Sequence, residues 1–137
     1  PHTSIYISNR INLKQPATSL KVLLGACRPE ETDFRVLYQI FKTGSGEIEP
    51  AFELFPGYDN LRDTDGDGYG DLVINSNLNN GKPDAYIQPS RVDEFLEYQY
   101  SIDNLDPFTS YAIKIVMTST NEAKIPKFKD LRTLALA

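Results

Sequence analysis

Apolar residues recur at every second position along most of this chain, the periodicity of half-buried β-strands. Leu20, Val22, Leu24 and Ala26 alternate with Lys21, Leu23, Gly25 and Cys27. Phe34, Val36, Tyr38 and Ile40 alternate with Arg35, Leu37, Gln39 and Phe41. Leu96, Tyr98, Tyr100 and Ile102, behind Phe95, mark a third strand, and Tyr111, Ile113, Ile115 and Met117, set against Lys114 and Val116, a fourth. Residues 5–13 and 128–136 predict terminal strands, and Ala51–Phe55 predicts a shorter one closed by Pro56-Gly57. No segment keeps an i, i+3, i+4, i+7 apolar stripe with caps, so a short turn near Val92–Phe95 is the only helical expectation.

Turn chemistry separates these runs: Lys14-Gln15-Pro16, Arg28-Pro29, Thr43-Gly44-Ser45-Gly46, Asn79-Asn80-Gly81, Asp106-Pro107 and Ile125-Pro126. Short, closely spaced strands of this kind predict an all-β fold, an antiparallel β-sandwich that is jelly-roll-like or Greek key. At 137 residues the chain is expected to be a single domain over 1–137. It opens on Pro-His-Thr rather than methionine, which reads as a fragment or a processed product. Residues 57–90 break the strand rhythm, being long, polar and glycine-rich, and an excursion of that length in a compact domain needs a reason.

The run Asp63-Thr64-Asp65-Gly66-Asp67-Gly68-Tyr69-Gly70-Asp71 supplies one. It places carboxylates at relative positions 1, 3, 5 and 9 and glycine at 6, the pattern of a calcium loop. Ca²⁺ takes six to eight oxygens at about 2.3–2.6 Å, and alternating carboxylates on a tightly turned backbone provide them. Gly68 permits the sharp turn, and the Tyr69 carbonyl is the expected ligand at position 7. Without a cation the four carboxylates repel one another. Position 12, a bidentate glutamate in an EF-hand, is Ile74, and neither flank reads as a helix, which argues against an EF-hand. The spacing resembles the calcium repeats of thrombospondin type 3. A weaker echo at Asn80-Gly81-Lys82-Pro83-Asp84 adds Asp84 to the expected ligands, and Asn75, Asn77 and Asn79 are further donors. The expected metal set is therefore Asp63, Asp65, Asp67, Tyr69, Asp71 and Asp84, holding a structural calcium that stiffens 57–90.

Charge and chemistry narrow the function. The net charge is −5 and the sequence pI about 4.8, which disfavours binding a phosphate backbone. No apolar run approaches the ~18 residues of a membrane-spanning helix. Cys27 is the sole cysteine, so no internal disulfide forms, and in an alternating strand it reads as a packed side chain rather than a reactive thiolate. The one histidine is His2, so nucleophilic catalysis has no histidine base elsewhere, and none of the nineteen acidic residues is marked out as half of a catalytic carboxylate pair. No Cys/His metal spacing, phosphate loop or nucleotide fingerprint occurs, and the expectation is a protein that is not an enzyme. Eight tyrosines and seven phenylalanines suit strand packing first, and a sugar-stacking platform second. Lys124, Lys127, Lys129 and Arg132, interleaved with Ile125, Phe128 and Leu131, read as the solvent face of the last strand.

Two stretches, Arg28-Pro29 with Phe34–Phe41 and then Glu94–Tyr100, resemble a module of virion structural proteins in marine cyanophages. The ending Phe108–Thr120 followed by Ile125–Ala137 is similar to the C-termini of large tail or baseplate proteins of those phages. The resemblance spans about residues 5–137 and carries no catalytic motif. It implies a β-sandwich appended to a larger virion protein, with other virion subunits as partners, an oligomeric state and a virion or extracellular location. The alternative expectation is a calcium-dependent carbohydrate-binding module, with a host surface glycan stacked on Tyr58, Tyr69 or Tyr86.

Overall fold

The structure, a computed structural model, describes residues 2–29, 31–44, 49–56, 90–91, 93–119 and 123–137. Among these residues there are eight strands and no helix: β1 (His2–Ile7), β2 (Ile11–Ala17), β3 (Ser19–Cys27), β4 (Thr32–Lys42), β5 (Glu53–Leu54), β6 (Leu96–Ile102), β7 (Phe108–Ser119) and β8 (Lys127–Leu136). They form two antiparallel sheets packed face to face. One runs β1-β7-β4-β5, with β2 on the same flank of β7 as β1, and the other runs β6-β3-β8. Every link except β1–β2 and β4–β5 carries the chain from one sheet to the other, so neighbours in sequence bury opposite walls of one core.

The predicted alternation sets the inward faces. Leu20, Val22, Leu24 and Ala26 of β3, Phe34, Val36 and Tyr38 of β4, and Ile113 and Ile115 of β7 are all buried. Register locks them together, with Val36 opposite Ile115 and Tyr38 opposite Ile113 in one sheet, and Val22 opposite Tyr100 and Leu24 opposite Tyr98 in the other. Phe34 joins the sheets. Its ring stands edge-on to Tyr98 at 5.1 Å and to Phe128 of β8 at 4.9 Å. A fully buried phenylalanine with two such partners contributes about 2–3 kcal/mol from area alone, and Phe34→Ala would cost about 3–5 kcal/mol.

The single strand expected over 5–13 is two strands laid end to end along β7. The physical cause is Ser8, whose Oγ accepts the Ile113 N–H at 2.9 Å while its own N–H donates to the Ile113 carbonyl at 2.8 Å. With its side chain standing in for a backbone acceptor, residues 9–10 leave the ladder, and pairing resumes at Ile11 opposite Tyr111. The turn expected at Lys14-Gln15-Pro16 is instead strand β2. Pro16 is tolerated because β2 is an edge strand whose register breaks between Asn12 and Ala17, where no ladder N–H is required. The Ala51–Phe55 strand shortens to Glu53–Leu54, pairing only Leu37 and Tyr38.

In β8 a bulge at Asp130 (φ 54°) shifts the register between Leu23 and Gly25 of β3. Gly25 then faces Lys129. A Cβ there would sit 3.2 Å from Lys129 Cγ, and its absence leaves room for the lysine stem on its way to the Phe95 ring, 4.5 Å from Nζ. Phe128, Leu131 and Ala135 pack against the core while Lys127, Lys129 and Arg132 are exposed, as the basic alternation predicts, but Lys124 and Ile125 lie before β8, where Ile125 is exposed and Lys124 half-buried.

Candidate functional site

The sequence places the candidate metal chemistry between β5 and β6. Asp63, Asp65, Asp67, Tyr69, Asp71 and Asp84 lie outside the described residues, as do Asn75, Asn77, Asn79, Tyr58 and Tyr86. Among the described residues no group of three or more His, Cys, Asp or Glu side chains is placed to hold a metal ion. What the structure does give is the framework from which residues 57–89 depart and to which they return.

The departing end is fixed by Phe55, which is fully buried one residue after β5. Its ring lies 5.0 Å from Tyr38 of β4 and 5.9 Å from Tyr100 of β6, so it is wedged between the sheets. Beside it the Tyr38 hydroxyl donates to Glu53 Oε2 at 3.2 Å. Burial, reinforced by the Glu53 charge and the hydrogen bond to it, pushes the Tyr38 phenol up to about 12. Gln39 Nε2 ties the preceding segment down by donating to the Pro50 carbonyl at 2.6 Å.

The returning end is fixed by Ser90, which docks on the exit of β3 in the other sheet. Its N–H donates to the Arg28 carbonyl and its Oγ accepts the Arg28 N–H, both at 2.8 Å, just past the end of β3. Cys27 supports the same corner. Its buried thiol donates to the Arg91 carbonyl at 3.3 Å, which fits the expectation of a packed side chain. Arg91 and Glu94 then close a tight turn, with the Glu94 N–H donating to the Arg91 carbonyl at 3.1 Å and the Arg91 N–H to Glu94 Oε1 at 3.2 Å.

Beneath this corner is a feature that sequence reading missed. Arg28 is 0% exposed. Its Nη1 donates to the Thr32 carbonyl at 2.9 Å and lies 3.6 Å from Oδ1 of the equally buried Asp33. Thr32 folds back on Pro29, its hydroxyl donating to the Pro29 carbonyl at 2.6 Å. The dipeptide Arg28-Pro29 signals a turn, and nothing in the local pattern signals a charge turned inward. The available cue is Asp33, a carboxylate five residues on at the start of a strongly apolar run.

No family model, curated protein or solved structure matches this chain. The functional reading therefore rests on the residues and on this framework: the chain entering residues 57–89 held by an aromatic wedge between the sheets, and the chain leaving them by paired hydrogen bonds just past the end of β3.

Proposed function

We propose that this chain is a non-enzymatic, calcium-binding structural module that serves assembly of a phage virion, in a tail, baseplate or fibre. The observation that carries the metal part is the carboxylate spacing of Asp63, Asp65, Asp67 and Asp71 with Gly68 at the turn. The framework supports it, because both ends of the segment bearing that loop are fixed to a rigid sandwich at Phe55 and Ser90. A cation drawing the carboxylates together would stiffen a segment whose ends are already held. The Tyr69 carbonyl and Asp84 would complete the shell. The virion part is supported by the resemblance of residues 28–41, 94–100 and 108–137 to cyanophage tail and baseplate modules.

Melting curves of the same sample in saturating calcium and in chelator test the metal part. A ligand bound only by the native state raises stability by about 2.7 kcal/mol at one hundred times its Kd. Coincident curves would sink the structural-calcium reading. The second reading, a calcium-dependent carbohydrate-binding module, is favoured by the tyrosines Tyr58, Tyr69 and Tyr86 flanking or lying within the acidic run. A glycan array separates the two: a specific signal lost in Tyr69→Ala supports recognition, and silence across the array supports assembly.

A further inference from the structure

Among the described residues, strand β1 is an edge that lacks the usual protection against pairing. Natural edges are blunted by charge, proline, bulges or shortness. Other edge strands here have such devices. In β8 there are Lys127, Lys129, Arg132 and the bulge at Asp130. In β2 there are Lys14, Pro16 and a register break. β5 is two residues long, and β6 carries Glu97, paired to Arg132 at 2.9 Å. Residues 3–7 of β1 read Thr-Ser-Ile-Tyr-Ile, with no formal charge, proline or glycine. Ile5 and Ile7 are 57% and 53% exposed.

The ladder with β7 fixes which backbone groups are offered. Pairing runs from His2 opposite Ser119 to Ile7 opposite Lys114, and Ser8 donates inward to Ile113. Hydrogen-bonded positions alternate in an antiparallel pair, so Ser4 and Tyr6 bond to β7 while Thr3, Ile5 and Ile7 turn N–H and C=O to the open side. A partner that satisfies them must be an extended strand.

We infer that this edge is a pairing surface for the β1 strand of a second copy of the chain, antiparallel across a two-fold axis at Ile5. The register follows from the offered groups. Centred on Ile5, Ile5 faces its own copy and Thr3 faces Ile7, so the outward row pairs β-branched with β-branched side chains, the residues that pack best on a pleated surface. Two chains of net charge −5 repel over most of their surfaces, but they meet here along residues that carry no formal charge. The faces flanking this edge combine apolar and charged positions. Outward, Ile5 adjoins Val116 and Ile7 adjoins Lys114, with Arg35 and Leu37 across β7 and Leu54 beyond. Inward, Tyr6 lines a groove of about 380 Å³ whose other walls include Leu24, Phe128, Leu131, Lys129 and Asp130. A strand added beyond β1 extends the roof of that groove. Two-fold pairing closes at the dimer and leaves no further β1 edge.

This deepens the assembly reading by naming a surface and a partner. It uses no residue of the acidic loop, so its failure and that of the calcium reading are told apart by separate measurements. The test is sedimentation of the whole chain from about 10 to 300 μM, the range that a small interface requires. The expected result is a concentration-dependent monomer–dimer equilibrium. Ile5→Lys, which sets two like charges face to face, and Ile7→Pro, which removes an outward N–H without touching the β7 ladder, should each weaken the dimer at least tenfold. Leu134→Lys on the exposed face of β8 should leave it unchanged, and melting curves will show that all three variants fold. A monomer across the whole range, growth beyond the dimer, or a dimer indifferent to Ile5→Lys and Ile7→Pro would overturn the inference.

Discussion

Ser90 and Arg28, 62 positions apart in sequence, exchange two hydrogen bonds of 2.8 Å, one through each backbone N–H. The Ser90 hydroxyl is the acceptor for a buried donor at the exit of β3, so it closes the corner where the chain returns from residues 57–89. Ser90→Ala leaves the Arg28 N–H buried without that acceptor. The expected loss is about 1–3 kcal/mol, read as a lower urea midpoint at unchanged slope.

Phe55 holds the opposite end chiefly by packing, beside a long backbone hydrogen bond from its N–H to the Val36 carbonyl at 3.5 Å. Phe55→Ala opens a cavity between Tyr38 and Tyr100 and should cost about 3–5 kcal/mol. Phe55→Leu keeps most of the volume and should cost less than half as much. Equal losses in the two variants would show that the wedge does not depend on filling that space.

Burial of Arg28 beside Asp33 makes a different kind of contribution. Removing one member leaves a charge in the interior, so Arg28→Met or Asp33→Leu alone should destabilise by about 3–5 kcal/mol. The double variant replaces both charges with apolar groups and should recover part of that loss. A double-mutant cycle with no coupling would show that the two side chains act independently.

The raised Tyr38 phenol links stability to alkaline pH. The folded state holds this proton up to about 12, against an ordinary value of 10.0, so the contribution is fully present below pH 10. As pH rises above 10 the unfolded chain releases the proton first, and stability falls by about 1.4 kcal/mol per pH unit until the folded phenol also ionises. In Tyr38→Phe that portion of the alkaline slope disappears. Urea midpoints measured from pH 9 to 12 on both proteins will show it.

Sequence patterning made the centre of the fold legible and left parts of its margins unread. β3, β4, β6 and β7 are legible because the register of each with its neighbours is fixed by one inward apolar face, even where Gln39, Ser101 and Ala112 are buried on the other. At the N-terminal edge the same period runs on through Ile11 and Leu13, but it cannot reveal that Ser8 substitutes its side chain for a backbone acceptor and splits the strand. Pro16 reads as a turn because proline is excluded from central strands, and only the sheet order shows that β2 is an edge. Arg28 was hidden because a buried charge depends on a partner and on the corner built around it, neither of which has a periodicity. The acidic run at 63–71, which lies outside the described residues, offers its proposed calcium chemistry to sequence for the opposite reason: the carboxylate spacing such an ion would need is carried by a few consecutive residues.

The most direct test of the account is isothermal titration of the chelator-stripped chain with calcium, beside the same titration of Asp65→Asn with Asp67→Asn. The account predicts one or two tight sites in the natural sequence, at least a hundredfold weakening in the double variant, and a rise in melting temperature that tracks occupancy. Absence of binding in the natural sequence, or binding indifferent to the loss of both carboxylates, would contradict it.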